Sequence, residues 1–277
     1  MKNVDFTVVL THYGDPYWVM EAIASGDLLK VGIIKDIFIL DNNHGDKKLL
    51  AGTSKYPKIT ILEYPSGGSG NAHHAHALNS FLKNSLLNTS HVIIMDSDLI
   101  VQDTSWLDDL LGILELFDSC LALDPISNYL THPCFMVIPT EVAAKLDFME
   151  GMKSLKVDTG RTVGLQLSKL GISTHLLKPK PGYGGRMGFT YLNEKIYHVT
   201  SISIRQQPHK RLGKSPFRIA VAESWRRSVI RSKLPISGGW PISVTFSFMR
   251  AIYCVGFTAR WFFGKIPRFE SQKDHLL

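Results

Sequence analysis

Near the N-terminus, unbroken apolar runs of strand length alternate with stretches of helical length, the pattern of a mainly parallel sheet buried under helices on both faces. Residues 4–10 predict a first buried strand, Pro16 opens a helix to about Leu29, residues 36–40 form a second strand, and 59–62 a third. After Gly70 the spacing predicts a helix to about Leu87. HVIIM, residues 91–95, is then a central strand ending in Asp96. Helical spacing over 106–117, a strand over 134–138, a helix capped by Thr140 and an amphipathic helix over 159–170 complete an α/β body without internal repeats. Trp106 and Phe117 fall near the apolar face of their helix and are expected in the core.

From Lys178 the texture changes. KPKPGYGGRMGF holds two prolines and four glycines and is expected to be a mobile loop rather than helix or sheet. A short strand over 195–200 follows, then a basic segment through Lys233, then an apolar stretch over 242–263. That stretch carries Arg250 and Arg260, each costly at the centre of a span of about 20 apolar residues, so it suits an interface better than a crossing. Two regions result, 1–204 as the α/β domain and 205–277 as a basic, amphipathic, helical extension.

With 277 residues and 44% hydrophobic content the chain can bury one large core or two modest ones, which excludes a disulfide-stapled miniprotein and a disordered tail. Cys120, Cys134 and Cys254 lie far apart with no CxxC pair, as expected of a reducing compartment and not of a zinc knuckle or disulfide framework. MKNVDFTVVLTH lacks the long apolar stretch of a secretory signal, so a mature, cytoplasmic N-terminus is expected. The net charge of +7 is unevenly spread: residues 205–277 hold 14 Lys and Arg against 3 Asp and Glu. Such a tail points to an anionic surface, either nucleic acid or an acidic membrane leaflet.

The sharpest chemical feature is Asp96-Ser97-Asp98 directly after HVIIM. Ligands bind at strand ends in parallel sheets, and two carboxylates at i and i+2 in a turn can converge on one hard cation. The plain alternative is an Asp pair that caps the following turn.

With this motif the chain resembles the nucleotide-sugar-dependent glycosyltransferases of the GT-A fold, family 2 type, over about residues 4–200. The pieces come in order: VVLTHYGDP, IFILDNNHGD, GGSGNAHHAHALN and VIIMDSDLIV. The resemblance implies Mn²⁺ or Mg²⁺ on the diphosphate of a nucleoside diphosphate sugar, with Asp98 on the metal and Asp96 facing the ribose or donor sugar. It implies Thr11 and His12 near the base, and Asp41 on the base or ribose. Gly70 and Asn71 match the Gly-Asn before the helix that closes over the diphosphate. Asp46 reads better as a turn residue after Gly45. The chain departs from the family at His73, His74 and His76, where arginines are common, and hydrogen-bonded cleft histidines are expected there in preference to a zinc site.

By the same resemblance Asp158, in VDTG at a helix start, is the general base that deprotonates the acceptor hydroxyl and gives inversion. An ordinary N-cap is the equal alternative. His198 in IYHVT resembles the last protein ligand to the metal, against the alternative of a satisfied, buried strand histidine. A mixed O/N set suits Mn²⁺ somewhat better than Mg²⁺. Residues 182–188 would form a lid, with Tyr183 and Arg186 near sugar or phosphate. His132 in THPC is expected on the acceptor side.

The implied activity is transfer of a sugar to a glycan or lipid-linked acceptor, in polysaccharide or glycoconjugate biosynthesis. The tail beyond Arg205 lies outside the resemblance. It suits a peripheral helix on an anionic bilayer, or equally a helix packed on the domain. Two other classes fit the sequence less well. A metal-dependent phosphohydrolase using Asp96 and Asp98 normally carries its motif on the first strand, whereas here it follows the fourth. A basic nucleic-acid-binding protein leaves the acidic motif unexplained and shows no reader motif.

Overall fold

The computed structural model describes residues 4–12, 16–42, 47–53, 55–64, 71–125, 127, 129–154, 159–181 and 189–198. The anticipated mobile loop interior, Asp158, Gly70 and the whole 205–277 extension lie outside these residues.

A seven-stranded sheet forms the centre, built from β1 (Phe6–His12), β2 (Ile34–Asp41), β3 (Ile59–Glu63), β4 (His91–Asp96), β6 (Ser119–Leu123), β7 (Thr131–Pro139) and β8 (Thr174–Leu177). Its order is β3-β2-β1-β4-β7-β6-β8. The first four are parallel, β7 runs against both β4 and β6, and β6 and β8 are again parallel. This is the expected mixed, mainly parallel α/β sheet. The pleat sends alternate side chains to opposite faces. Val8, Leu10, Ile37, Ile39, Ile93, Met95, Phe135 and Val137 accordingly fall in one core, and Val9, Leu40, Val92, Ile94, Met136 and Ile138 in another.

The first core takes in α1 (Tyr17–Ser25) and α4 (Trp106–Leu116) through Val19, Ile23, Trp106 and Leu110. The second takes in α3 (Asn71–Asn84), α5 (Thr140–Ala143) and α7 (Val163–Lys169) through Leu78, Phe81, Val142 and Leu167. Two short helices, α2 (Lys47–Thr53) and α6 (Glu150–Ser154), complete the layers. Trp106 is fully buried and meets Phe135 edge-on at 6.2 Å, whereas Phe117 lies just past the end of α4 and packs on His175 at 5.2 Å.

Several boundaries differ from the periodicity. The first helix stops at Ser25 instead of Leu29, because Asp27 adopts φ 50° and the Leu28 and Asp27 amides bond back to the Ile23 and Ala24 carbonyls. This is a Schellman ending, with Leu28 and Ile23 both in the core. Thr140 is the first residue of α5 and not its cap: Pro139 holds that position, without a side-chain cap bond. The helix expected from Thr159 begins only at Val163, since Gly160 sits at φ +67°.

A second, four-stranded sheet was only partly legible. Its order is β5-β11-β10-β9, formed by Leu99–Val101, Ile196–His198, Phe189–Tyr191 and Lys180–Pro181 respectively, all antiparallel. The ends of the proline- and glycine-rich segment are therefore paired strands, with Phe189 opposite Pro181. Proline is tolerated there because β9 is an edge strand. The turn from Leu192 to Glu194 has three successive positive φ values, 50°, 53° and 69°. It is held by Asn193 and Lys195, which both reach Asp109 on α4, and by the Lys195 carbonyl accepting from the Gln102 amide at 2.7 Å.

Candidate active site

Register alone assembles the first part of the site. β1 is flanked by β2 and β4, so that His12 lies opposite Asp41 and Thr11 opposite Asp96. Chain connections diverge on either side of β1, the position in an open α/β sheet where a crevice forms beyond the strand ends. Thr11 Oγ1 donates to Asp96 Oδ1 at 3.4 Å, and the Asn42 amide to the His12 carbonyl at 3.0 Å. Thr11, His12 and Asp41 are all buried.

The second part comes from the small sheet. At Asp96 the chain leaves β4, turns through Ser97 and Asp98, and enters β5, which joins the small sheet. There His198 pairs with Leu99, the residue after Asp98. His198 Nε2 stands 3.1 Å from Asp98 Oδ1 and 3.8 Å from Asp96 Oδ2. The ligand atoms of Asp96, Asp98 and His198 lie within 4.8 Å of one another, a two-carboxylate, one-imidazole set that fits a hard to borderline divalent cation such as Mn²⁺ or Mg²⁺. Burial acts to lower the His198 pKa, yet the neighbouring Cys134 sulfur and the Asp98 carboxylate outweigh it, holding the imidazole well above its ordinary value. The hydrogen bond of the ring is made with Asp98, the Asp96 oxygen being too distant for one.

His132 lies on β7 with its ring centroid 5.0 Å from that of His198. Its Nδ1 accepts the Cys134 amide hydrogen at 3.1 Å, which leaves the ring proton on Nε2. Burial, helped by the positive charges of His198 and Arg161, pushes its pKa down to about 3, so the ring is neutral. Of the other anticipated residues, Asn71 begins α3, and its side chain lies outside the described structure, as do Asp158, Gly70, Asp46, Tyr183 and Arg186.

Three neighbours carry no site role in the sequence pattern, although His74 is among the expected cleft histidines. His74, on the first turn of α3, places Nε2 3.7 Å from Asp96 Oδ1, while His73 instead bonds the Tyr64 carbonyl at 3.1 Å. The histidine cluster was visible as such, but which member turns inward is set by the rotation of α3. Asp124, just past β6, is buried and pairs with Arg161 at 2.9 Å. An acid directly after the apolar run CLAL is the same signal that marked Asp96. Cys134 is fully buried behind His198, and burial raises its thiol pKa.

No family model matches this chain, and no curated protein does. Solved structures with a similar fold include the mannosyltransferase PcManGT from Pyrobaculum calidifontis in complex with GDP-Man and Mn²⁺, at 15% identity and TM-score 0.44, covering 89% of this chain and 79% of that one. Residues 1–349 of TarS from S. aureus match at 14% identity and TM-score 0.38, over 52% of this chain. The chain spans only half the length of that protein. A 4-diphosphocytidyl-2C-methyl-D-erythritol synthase from Anaerococcus prevotii matches at 10% identity and TM-score 0.45, covering 64% and 90%. These likenesses concern backbone architecture alone. Among the described residues no helix is long and apolar enough to cross a membrane.

Proposed function

We propose that the chain is a metal-dependent glycosyltransferase that takes a sugar from a nucleoside diphosphate donor to a glycan or lipid-linked acceptor, with inversion. The observation that carries this reading is the convergence of Asp96 and Asp98 with His198, a residue 100 positions from Asp98, on one buried point at the end of β4. Such a convergence is more than a turn cap needs, and the Thr11 hydroxyl links it to the end of β1, where His12 lies opposite Asp41.

A cation held by Asp98 and His198 supplies Lewis-acid neutralisation of the charge that develops on the departing diphosphate. Nε2 of His198 would serve as a ligand only without its proton, so metal binding would release a proton to solvent. Thr11 Oγ1 donates to Asp96 Oδ1, and Asp96 is assigned to the ribose or donor sugar. Asp41, His12 and Thr11 line the nucleoside side, and Gly70 and Asn71 the diphosphate side. Asp158 is assigned the base that removes the acceptor hydroxyl proton, and the neutral His132 donates Nε2–H towards the acceptor. Residues 205–277 are assigned to an anionic bilayer surface, consistent with a lipid-linked acceptor and a peripheral location on the cytoplasmic face.

The test is donor hydrolysis with UDP-, GDP- and dTDP-sugars and Mn²⁺, followed by released nucleotide, beside a folded Asp98→Ala variant. Release from one donor that disappears in the variant is expected. Absence of release from every donor, together with no thermal shift by any of the three nucleotides, would refute the reading.

A further inference from the structure

Only one nitrogen of His198 faces the carboxylates. Its other nitrogen, Nδ1, is enclosed and has no hydrogen-bond partner among the described residues, in a side chain that is 5% exposed. Two side chains besides the carboxylates stand close to this ring: the ligand atoms of His132, Cys134 and His198 lie within 4.8 Å of one another. His132 is already engaged, because its Nδ1 lone pair takes the Cys134 amide hydrogen at 3.1 Å and its Nε2 carries the proton. For the same reason this second trio is not itself a cation site. The sulfur of Cys134, which lies within 4.8 Å of a ring nitrogen of His198, is the group left as a candidate partner for Nδ1. It projects from β7 of the large sheet, whereas His198 belongs to the small one, so the thiol lies where the two sheets meet behind the site. Both residues sit in the interior, Cys134 at 0% and His198 at 4% exposure.

We propose that Cys134 is a positioning residue for His198: its sulfur receives the Nδ1–H, which fixes the ring and the tautomer so that Nε2 presents its lone pair to the cation at Asp98. The inference rests on the metal-site reading above. A metal-bound histidine ordinarily donates its second N–H to a carboxylate, a carbonyl or water, and losing that partner typically weakens metal binding about 10- to 100-fold. Here a thiol takes that place, a weak acceptor whose hydrogen can rotate aside. The buried Tyr191 hydroxyl, which could otherwise compete for such a contact, is directed to the Leu123 carbonyl at 3.1 Å.

The test is Mn²⁺ binding to the full chain, followed by the EPR signal of free Mn²⁺, for wild type, Cys134→Ala, Cys134→Ser, His198→Ala and the double variant Cys134→Ala/His198→Ala, with thermal melts as folding controls. The expected result is about 10-fold weaker binding in Cys134→Ala. Cys134→Ser, which restores a polar atom, should stay within about threefold of wild type, and Cys134→Ala should cost nothing further once His198 is absent. A general packing defect would weaken the serine variant and the double variant alike. Wild-type affinity in Cys134→Ala, or an equal added loss in the His198→Ala background, overturns the proposal. If Cys134→Ala does not fold, Cys134→Val carries the same comparison. Failure of the underlying reading looks different: wild type does not bind Mn²⁺, or Asp98→Ala binds it as tightly as wild type, and the role of Cys134 then falls with the site.

Discussion

Replacing Asp98 by Asn keeps the side chain's shape but removes its charge, and the structure gives the size of both consequences. In wild type the carboxylate lies 3.1 Å from a buried imidazole whose pKa the Cys134 sulfur and this carboxylate together raise against the effect of burial. Breaking a buried ion pair by deleting one partner usually costs about 3–5 kcal/mol because the other charge is stranded. His198 escapes this penalty by releasing its Nε2 proton, and the Asn amide N–H can donate to the freed Nε2 lone pair, so the metal-free variant should lose only about 1–2 kcal/mol. The larger effect is on metal binding. At a Mn²⁺ concentration near 100 times the wild-type Kd, mass action stabilises wild type by about 2.7 kcal/mol. At about 2–4 °C per kcal/mol for a chain of this size, Tm rises by roughly 5–10 °C. Loss of one carboxylate ligand should weaken binding at least about 100-fold, leaving the variant near its own Kd with a gain of about 0.4 kcal/mol, or roughly 1 °C. Differential scanning fluorimetry with and without Mn²⁺, on both proteins, reads the two numbers together. A Mn²⁺ shift of the same size in the variant would refute the assignment of Asp98 as a ligand, and a metal-free loss near 5 kcal/mol would refute the view that His198 discharges.

Gly160 sits at φ +67°, and a Cβ there would meet Met136 Cε, Phe148 Cδ1 and Pro133 Cβ, each at 3.3 Å. Gly160→Ala should therefore lose about 1–2 kcal/mol to backbone strain and about 1–3 kcal/mol to crowding, giving a clearly lower urea midpoint. An unchanged midpoint would mean that the turn before α7 can relax. The hairpin that carries His198 is tied to α4 by Lys195 and Asp109 at 2.8 Å, and the Lys195 hydrogen bond, opposed by burial and aided by Asn193, lowers the Asp109 pKa. A carboxylate with a depressed folded pKa stabilises above its unfolded value of about 3.9, and this contribution is lost as pH falls through the folded pKa. After allowance for solvent screening, Asp109→Asn should cost about 0.5–1 kcal/mol at pH 7 and almost nothing at pH 2. A difference in urea midpoint that persists unchanged at pH 2 would count against the ion pair.

The chain's own pattern determined the centre of this protein. HVIIM, VVL and IFIL are too continuously apolar to lie anywhere but inside a sheet covered on both faces. Asp96, Asp41 and Thr11 close those runs, so parallel pairing alone brings their strand ends level at one edge. Local sequence carried much less of the small sheet, because strands of two or three residues have too few alternating positions to show a period, and the prolines and glycines of 178–189 masked the pairing at its ends. Asp124 obeyed the rule that exposed Asp96 and was passed over because its partner, Arg161, is 37 residues away in the chain. Tertiary structure alone decided that His74 and not His73 turns towards Asp96, that His132 is neutral with Nδ1 occupied, and that Cys134 backs the His198 ring. Each of these depends on how a helix is rotated or how two sheets meet. Hydrophobic periodicity fixes which face of an element is buried, but distances between side chains from separate elements follow only once packing has set their register.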